Sequence, residues 1–228
     1  MITRLYHCAM LGLLSVFLLI STAWGGGVWL YEGGTPDLGT AGAGRAALAT
    51  DASTAGTNPA GMTRLDRSQM LSAVQGLYVN AKFDTQSSGF GGGDGGNAGG
   101  FVPSGSLHYV HRVADDFRLG ISAGSYFGLG VDYGDDWAGR YYTTKAELLV
   151  FGINPGAGYR INNWLSVGAG FSVLYATLDQ RAAVNNQVTD PGFADGELKL
   201  DSDDVGYAFN LGLMLTPRDD TRFGLTYR

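Results

Sequence analysis

The sequence predicts an all-β protein: an antiparallel transmembrane β-barrel with a compact N-terminal segment. Three observations carry that expectation. After residue 68, apolar residues recur with a period of two over stretches longer than the usual five or six residues of a strand. The opposite face is mostly Gly, Ser, Asn and Ala, where a soluble protein's outer face carries more Lys and Glu. The connections alternate between short and long, the mark of a membrane barrel with turns at one end and loops at the other. Composition agrees. The 228 residues include 37 Gly, with 16% charged and 12% aromatic residues. Many aromatics with few charges exclude disorder. The glycines lack a three-residue period, which excludes collagen. A net charge of -6 argues against a chain that tracks phosphates, so no nucleic-acid partner is expected.

Residues 1–25 read as an export signal. Arg4 supplies a positive start, residues 9–20 (AMLGLLSVFLLI) an apolar run, and Ser21, Ala23 and Gly25 the small residues that signal peptidase prefers. Cleavage is expected between Ala23 and Val28. Cys8 lies in this segment, so the mature chain has no disulfide, thiol nucleophile or thiolate metal ligand. Residues 26–68 lack the strand period. Residues 40–50 (TAGAGRAALAT) suit a short helix, and 51–62 (DASTAGTNPAGM) form a turn-rich connection with Asn58 biased away from helix by Pro59. Small residues of this kind pack into a narrow space, as a plug in a lumen does.

Residues 69–228 supply seven strands. In 71–83, Leu71, Ala73, Leu77, Val79, Ala81 and Phe83 form the apolar face, with Gln75 as the exception. A weaker strand covers 104–113. Residues 117–129 place Phe117, Leu119, Ile121, Ala123, Phe127 and Leu129 on one face. Residues 149–161, 164–178, 204–216 and 222–227 repeat the pattern, with Leu211 on the lipid face and Gly212 toward the lumen. Loops 85–103, 130–143 and 185–203 are expected to face outward. Turns 114–116, 161–163 and 217–220 are expected to face the periplasm.

The stretch GGVWLYEGGTPDLGTAGAGRAALATDASTAGTNPAGMTRL resembles the N-terminal hatch of the FadL family of outer-membrane long-chain fatty acid and hydrocarbon transporters. Asn58, Pro59 and Ala60, followed by Gly61 and Met62, match the family's hatch motif. DDWAGRYY (Asp135–Tyr142) and INPGAGYRI (Ile153–Ile161) resemble its third outer loop and the following strand. The resemblance implies a barrel of about fourteen strands in the outer membrane of a Gram-negative bacterium. It implies passive uptake past the hatch and sideways exit at a kink in the third strand, here Gly124–Gly130. The implied partners are a long-chain fatty acid or hydrocarbon ligand, outer-membrane lipid and lipopolysaccharide, and the barrel-assembly machinery. Seven strands are half of what that architecture needs, so the expectation is the N-terminal half of a split or truncated protein. A general diffusion porin or structural barrel stays open as an alternative, as does a soluble secreted β-protein.

A fatty acid needs apolar walls and a positive donor for its carboxylate. Phe127, Leu129, Trp137 and Tyr141 as walls, with Arg140 and Lys145 as donors, form the candidate ligand path; Tyr142 stands beside them. Enzyme motifs carry little. Gly120–Gly124 fits G-x-S-x-G but sits mid-strand, where the motif needs a strand-to-helix turn. His108 and His111 fall on opposite faces of a strand and read as surface or rim histidines. The aspartates of 132–136 and 201–204 read as solvated loops. No catalytic residue, metal or cofactor is expected.

Overall fold

The period-two region becomes one seven-stranded antiparallel sheet in the computed structural model, which describes residues 33–188, 192–218 and 220–228. The expected export signal and residues 26–32 lie outside the described residues. Strands β1 (Gln69–Val79), β2 (Gly100–Arg112), β3 (Phe117–Asp132), β4 (Lys145–Arg160), β5 (Leu165–Val184), β6 (Gly196–Arg218) and β7 (Thr221–Tyr227) follow in sequence order, each paired with the next. Such a meander satisfies interior backbone groups strand to strand, as a wall in lipid requires.

The strands extend past their apolar stretches. β5 has 20 residues and β6 has 23, whereas about 9–11 tilted residues cross a bilayer. The expected loop 185–203 is therefore shorter. Val184 already pairs with Gly196, and the ladder runs on through Glu197, Lys199, Asp201 and Asp203. Outside lipid a ladder needs no apolar face, so alternation is silent there. The expected weak strand at 104–113 is likewise a full strand from Gly100. The other long connections are 80–99 and 133–144.

On β4, β5 and β6 the predicted faces hold. Phe151, Ile153, Phe171, Val173, Phe209 and Leu211 are exposed outward, while Asn154, Ser172, Asn210 and Met214 are buried inward. Two strands depart from the expectation. On β1, Met70, Val74 and Tyr78 point outward, and Leu71, Ala73 and Leu77 point inward. The inner side of β1 must cover the N-terminal segment: Leu71 packs on the cluster of Ala52, Ala55, Met62, Leu65 and Val110. On β3 a bulge lies between Ser125 and Phe127. Tyr126 is the extra residue of the bulge, between Ser125 opposite Phe151 and Phe127 opposite Val150, and the alternation flips past it. Phe127 then lies opposite Val150 and Leu129 opposite Leu148, the lumen side of β4, rather than on the face of Phe117 and Ile121.

Residues 33–68 fold as four short turns: 3-10 turns Pro36–Thr40 and Pro59–Arg64, and helical turns Arg45–Leu48 and Thr54–Thr57. The expected helix over 40–50 is thus confined to its second half. These turns touch β2 through β7. Strands stand about 4.8 Å apart, so one small segment reaches six of them only if the sheet curls around it. The fold is a partial barrel wall wrapped on its N-terminal segment.

Candidate functional site

Asn58 is the centre of that contact. Its backbone is extended, Pro59 follows at the start of the next turn, and the side chain is fully buried. Asn58 Oδ1 accepts from Ala60 N at 3.1 Å, while Nδ2 donates to Ala46 O at 2.7 Å and Leu213 O at 3.2 Å. One amide thus ties two turns of the segment to the wall.

The wall offers a seat without side chains. Gly158, Gly168 and Gly212 pair in one row across β4, β5 and β6. A Cβ at Gly158 would overlap Pro59 O, one at Gly168 would overlap Ala60 N, and one at Gly212 would overlap Asn58 Oδ1. Gly212 points inward as expected, but the space beside it is filled: Asn58, Pro59 and Ala60 of the N-terminal segment occupy it. Sequence reading found the motif and missed its floor, because the glycines align only once the register is known. It also missed the arginines at the short-turn end. Arg118 Nε and Nη2 donate to Leu65 O at 3.0 and 2.9 Å, Arg112 Nη1 to Asp66 O at 2.6 Å, and Arg222 Nη1 to Leu48 O at 2.8 Å. Arg160 donates to Thr63 O, and Thr63 Oγ1 donates to Ser166 Oγ at 2.8 Å.

Above the seat the wall opens. β2 and β3 pair only from Arg112↔Arg118 to Ser106↔Gly124. Beyond that point β2 stays with β1 through Gly100, and β3 stays with β4 through Asp132. The split begins at the glycine before the bulge, inside the Gly124–Gly130 stretch. A cavity of about 70 Å3 lies beneath it, between the N-terminal segment and the two strands.

The candidate ligand path divides into two groups and a separate Lys145 at the start of β4. Phe127 and Leu129 stand on β3 past the bulge. Trp137, Arg140 and Tyr141 lie in the 133–144 loop, where they join three loops. Trp137 stacks on Tyr133 at 4.1 Å between ring centres, meets Phe83 edge-on at 5.5 Å, and donates from Nε1 to Thr143 O at 2.6 Å. Arg140 Nε meets Asp195 Oδ2 at 3.0 Å, and Nη2 donates to Phe90 O at 3.1 Å. Tyr141 donates to Asp195 Oδ2 at 2.8 Å. Lys145 pairs with Asp179 at 2.7 Å and Glu147 at 3.1 Å. Both cations therefore already hold carboxylates of this chain.

Hydrogen bonds from Arg140 and Tyr141 hold the Asp195 carboxyl below its ordinary value of 3.8, against the opposing effect of burial. A carboxylate favoured by folding contributes stability above its ordinary value, and loses it as pH falls through the lowered one. The loop clamp is thus expected to persist at neutral pH and to open only below pH 3.8. Arg140→Ala should open it at pH 7. Protease cutting within 80–99 and 185–195 checks this, and an unchanged cutting pattern in Arg140→Ala would refute the clamp.

The G-x-S-x-G stretch is mid-strand, as expected. Ser122 Oγ lies 2.8 Å from His108 Nδ1. His108 is buried at 7% exposure, so it is no rim residue, while His111 meets Ser68 and Tyr109 on the other face. Among the described residues no group meets His108 Nε2. A serine nucleophile needs its histidine oriented by an acid, and among the described residues no acid meets this one.

The fold has known counterparts. The profile of the family described as outer membrane protein transport protein (OMPP1/FadL/TodX) matches residues 16–228. The long-chain fatty acid transport protein of Escherichia coli O6:H1 is 30% identical over 237 residues, covering 94% of this chain and 52% of that protein. Outer membrane protein P1 of Haemophilus influenzae is 30% identical over 242 residues, covering 87% of this chain and 52% of its own length. A Pseudomonas aeruginosa FadL homologue superposes with a TM-score of 0.63 at 20% identity, over 77% of this chain and 46% of that one. The Pseudomonas putida toluene transporter TodX gives 0.57 at 21% identity, over 78% and 50%. The chain spans about half the length of the curated relatives it matches. With a partial barrel wall, an N-terminal segment seated on it at Asn58, Pro59 and Ala60, and a profile match over nearly all of its length, the chain belongs to the OMPP1/FadL/TodX family of outer-membrane transport proteins.

Proposed function

We propose that this chain forms the plugged side of a passive outer-membrane conduit for long-chain fatty acids or other hydrophobic molecules. The observation that carries the reading is the split between β2 and β3 directly above a seated plug. A hydrophobic solute has little reason to enter periplasmic water and every reason to leave sideways into lipid. The split offers that way out, and the β3 bulge turns Phe127 and Leu129 toward the lumen beside it. Asn58, Pro59 and Ala60 act as the hatch element that closes the direct path. The exposed outward residues of β4 to β6 meet outer-membrane lipid, and the long loops face the cell exterior. The wall is placed in the membrane by the barrel-assembly machinery. Relatives named as long-chain fatty acid and toluene transporters support the substrate class, and the chain acts without catalysis. The seated plug favours this reading over a general porin.

Deleting Tyr126 tests it. Without the extra residue, β3 regains plain alternation and can stay paired with β2 past Gly124. Uptake of labelled oleate is expected to fall at least tenfold while the barrel still assembles. Normal uptake through a folded ΔTyr126 barrel would reject sideways exit.

A further inference from the structure

We propose that Gly56 is a positioning residue that links the seated plug to the split in the wall, so that the shape of the exit depends on the plug being in place. This deepens the transport reading and rests on it.

His108 on β2 and Ser122 on β3 are register partners, two residues before the last pair, Ser106↔Gly124. Ser122 Oγ lies 2.8 Å from His108 Nδ1, so side chains join the two strands here as well as backbone. Gly56, buried in the helical turn Thr54–Thr57, lies directly on this row. A Cβ at Gly56 would stand 2.6 Å from Ser122 Oγ, 3.1 Å from Ser122 Cβ and 3.7 Å from His108 Cε1. Two residues earlier on β3, a Cβ at Gly120 would overlap Met62 Sδ and press on Ala55 Cβ at 3.0 Å. The plug therefore packs closely on β3 almost to the point where that strand parts from β2.

The carbonyl of the same glycine reaches the bulge. Arg228, which follows β7, donates to Gly56 O. Its guanidinium lies 5.4 Å over the Tyr126 ring, within the about 6 Å at which a cation and an aromatic face attract. Tyr126 is the bulge residue, and its ring is buried against Gly152, where a Cβ would overlap it. Gly56 thus faces the foot of the split through its Cα and the bulge through its carbonyl and Arg228.

Above Gly124, β3 has no register partner on β2, so β4 and the packing at its foot fix its course. The plug has its own hold elsewhere: Asn58, Pro59 and Ala60 on the glycines of β4, β5 and β6, and Leu65 O on Arg118. A fault at Gly56 leaves that hold intact. A fault at the hold displaces Asn58 and, two residues back, Gly56. With the plug seated, the foot of the split and the bulge share one arrangement. With the plug displaced, both lose it together, which is a coupling between two sites through one element.

Spin labels on the membrane-inserted protein test the link. They are placed at Phe101→Cys on β2 and Gly130→Cys on β3, across the split, with Cys8, the one native cysteine, in the expected export segment. Gly168→Val, two strands away on β5, is expected to broaden the distance distribution to about twice its wild-type width. Gly56→Ala should broaden it likewise and lower oleate uptake about fivefold, while conductance stays low because Asn58, Pro59 and Ala60 keep their seat. Arg228→Met repeats the test from the carbonyl side if Gly56→Ala fails to insert. Arg228→Lys, which keeps a donor and a charge, should recover most of the wild-type width. A wild-type distribution in inserted Gly168→Val whose conductance has risen, or in inserted Gly56→Ala, overturns the link and leaves transport standing. Wild-type protein that takes up no oleate overturns the transport reading, and the label distances decide the link apart from it.

Discussion

Leu211→Arg is expected to abolish insertion of the barrel, while Asp201→Arg on the same strand leaves it intact. Leu211 points outward from β6 at 50% exposure, between Ala169 on β5 and Tyr227 on β7. Phe209 lies two residues before it on the same face, also exposed. An Arg at the midplane of a membrane strand costs about 2–4 kcal/mol, roughly 30- to 700-fold in an equilibrium. Asp201 shares that outward face by parity, but there the native residues are Glu197, Lys199, Asp201 and Asp203. The change from charged to apolar between Asp203 and Val205 marks the edge of lipid, so an Arg at 201 stays hydrated. The heat-modifiable folded form in outer-membrane fractions reads both variants. Equal amounts of folded Leu211→Arg and wild-type protein would show that β6 faces the other way.

Lipid and water leave different marks on the sequence. Lipid contact imposes a strict chemical rule, and β4, β5 and the lipid-crossing part of β6 follow it residue by residue. Where lipid ends, the rule ends: the ladder of β5 and β6 beyond Thr177 and Asp203 is held by backbone bonds that impose no pattern on side chains. β1 misled because an inner face packed on a plug is as apolar as one in lipid. Leu71 satisfies either environment, and only the exposed Met70, Val74 and Tyr78 reveal which side is out. The bulge at Tyr126 was hidden because a single extra residue changes phase without changing composition. Asn58-Pro59-Ala60 was legible as a motif. Its glycine floor was not, since Gly158, Gly168 and Gly212 are distant in sequence and meet only through two strand registers.

That floor leads to the second large effect. Gly168→Val is expected to unseat the plug and raise the conductance of the barrel without preventing its assembly. The new Cβ would overlap Ala60 N and crowd Pro59, and backbone has no rotamer by which to yield. The wall itself has room, because the partners of residue 168 on both sides are Gly158 and Gly212. The strain therefore falls on the plug. Asn58→Ala attacks the same seat from the other side. It strips a donor from Ala46 O and Leu213 O and an acceptor from Ala60 N. Each buried group left unpaired costs about 1–3 kcal/mol, and three of them exceed what a segment of four short turns is expected to hold locally. Asn58→Asp should be at least as damaging as Asn58→Ala. It keeps the acceptor for Ala60 N but sets a carboxylate oxygen against the carbonyls of Ala46 and Leu213. Single-channel conductance and entry of a small hydrophilic antibiotic measure the leak, with the heat-modifiable band as the control for folding. Wild-type conductance in folded Gly168→Val and Asn58→Asp barrels would mean that this seat does not keep the conduit closed.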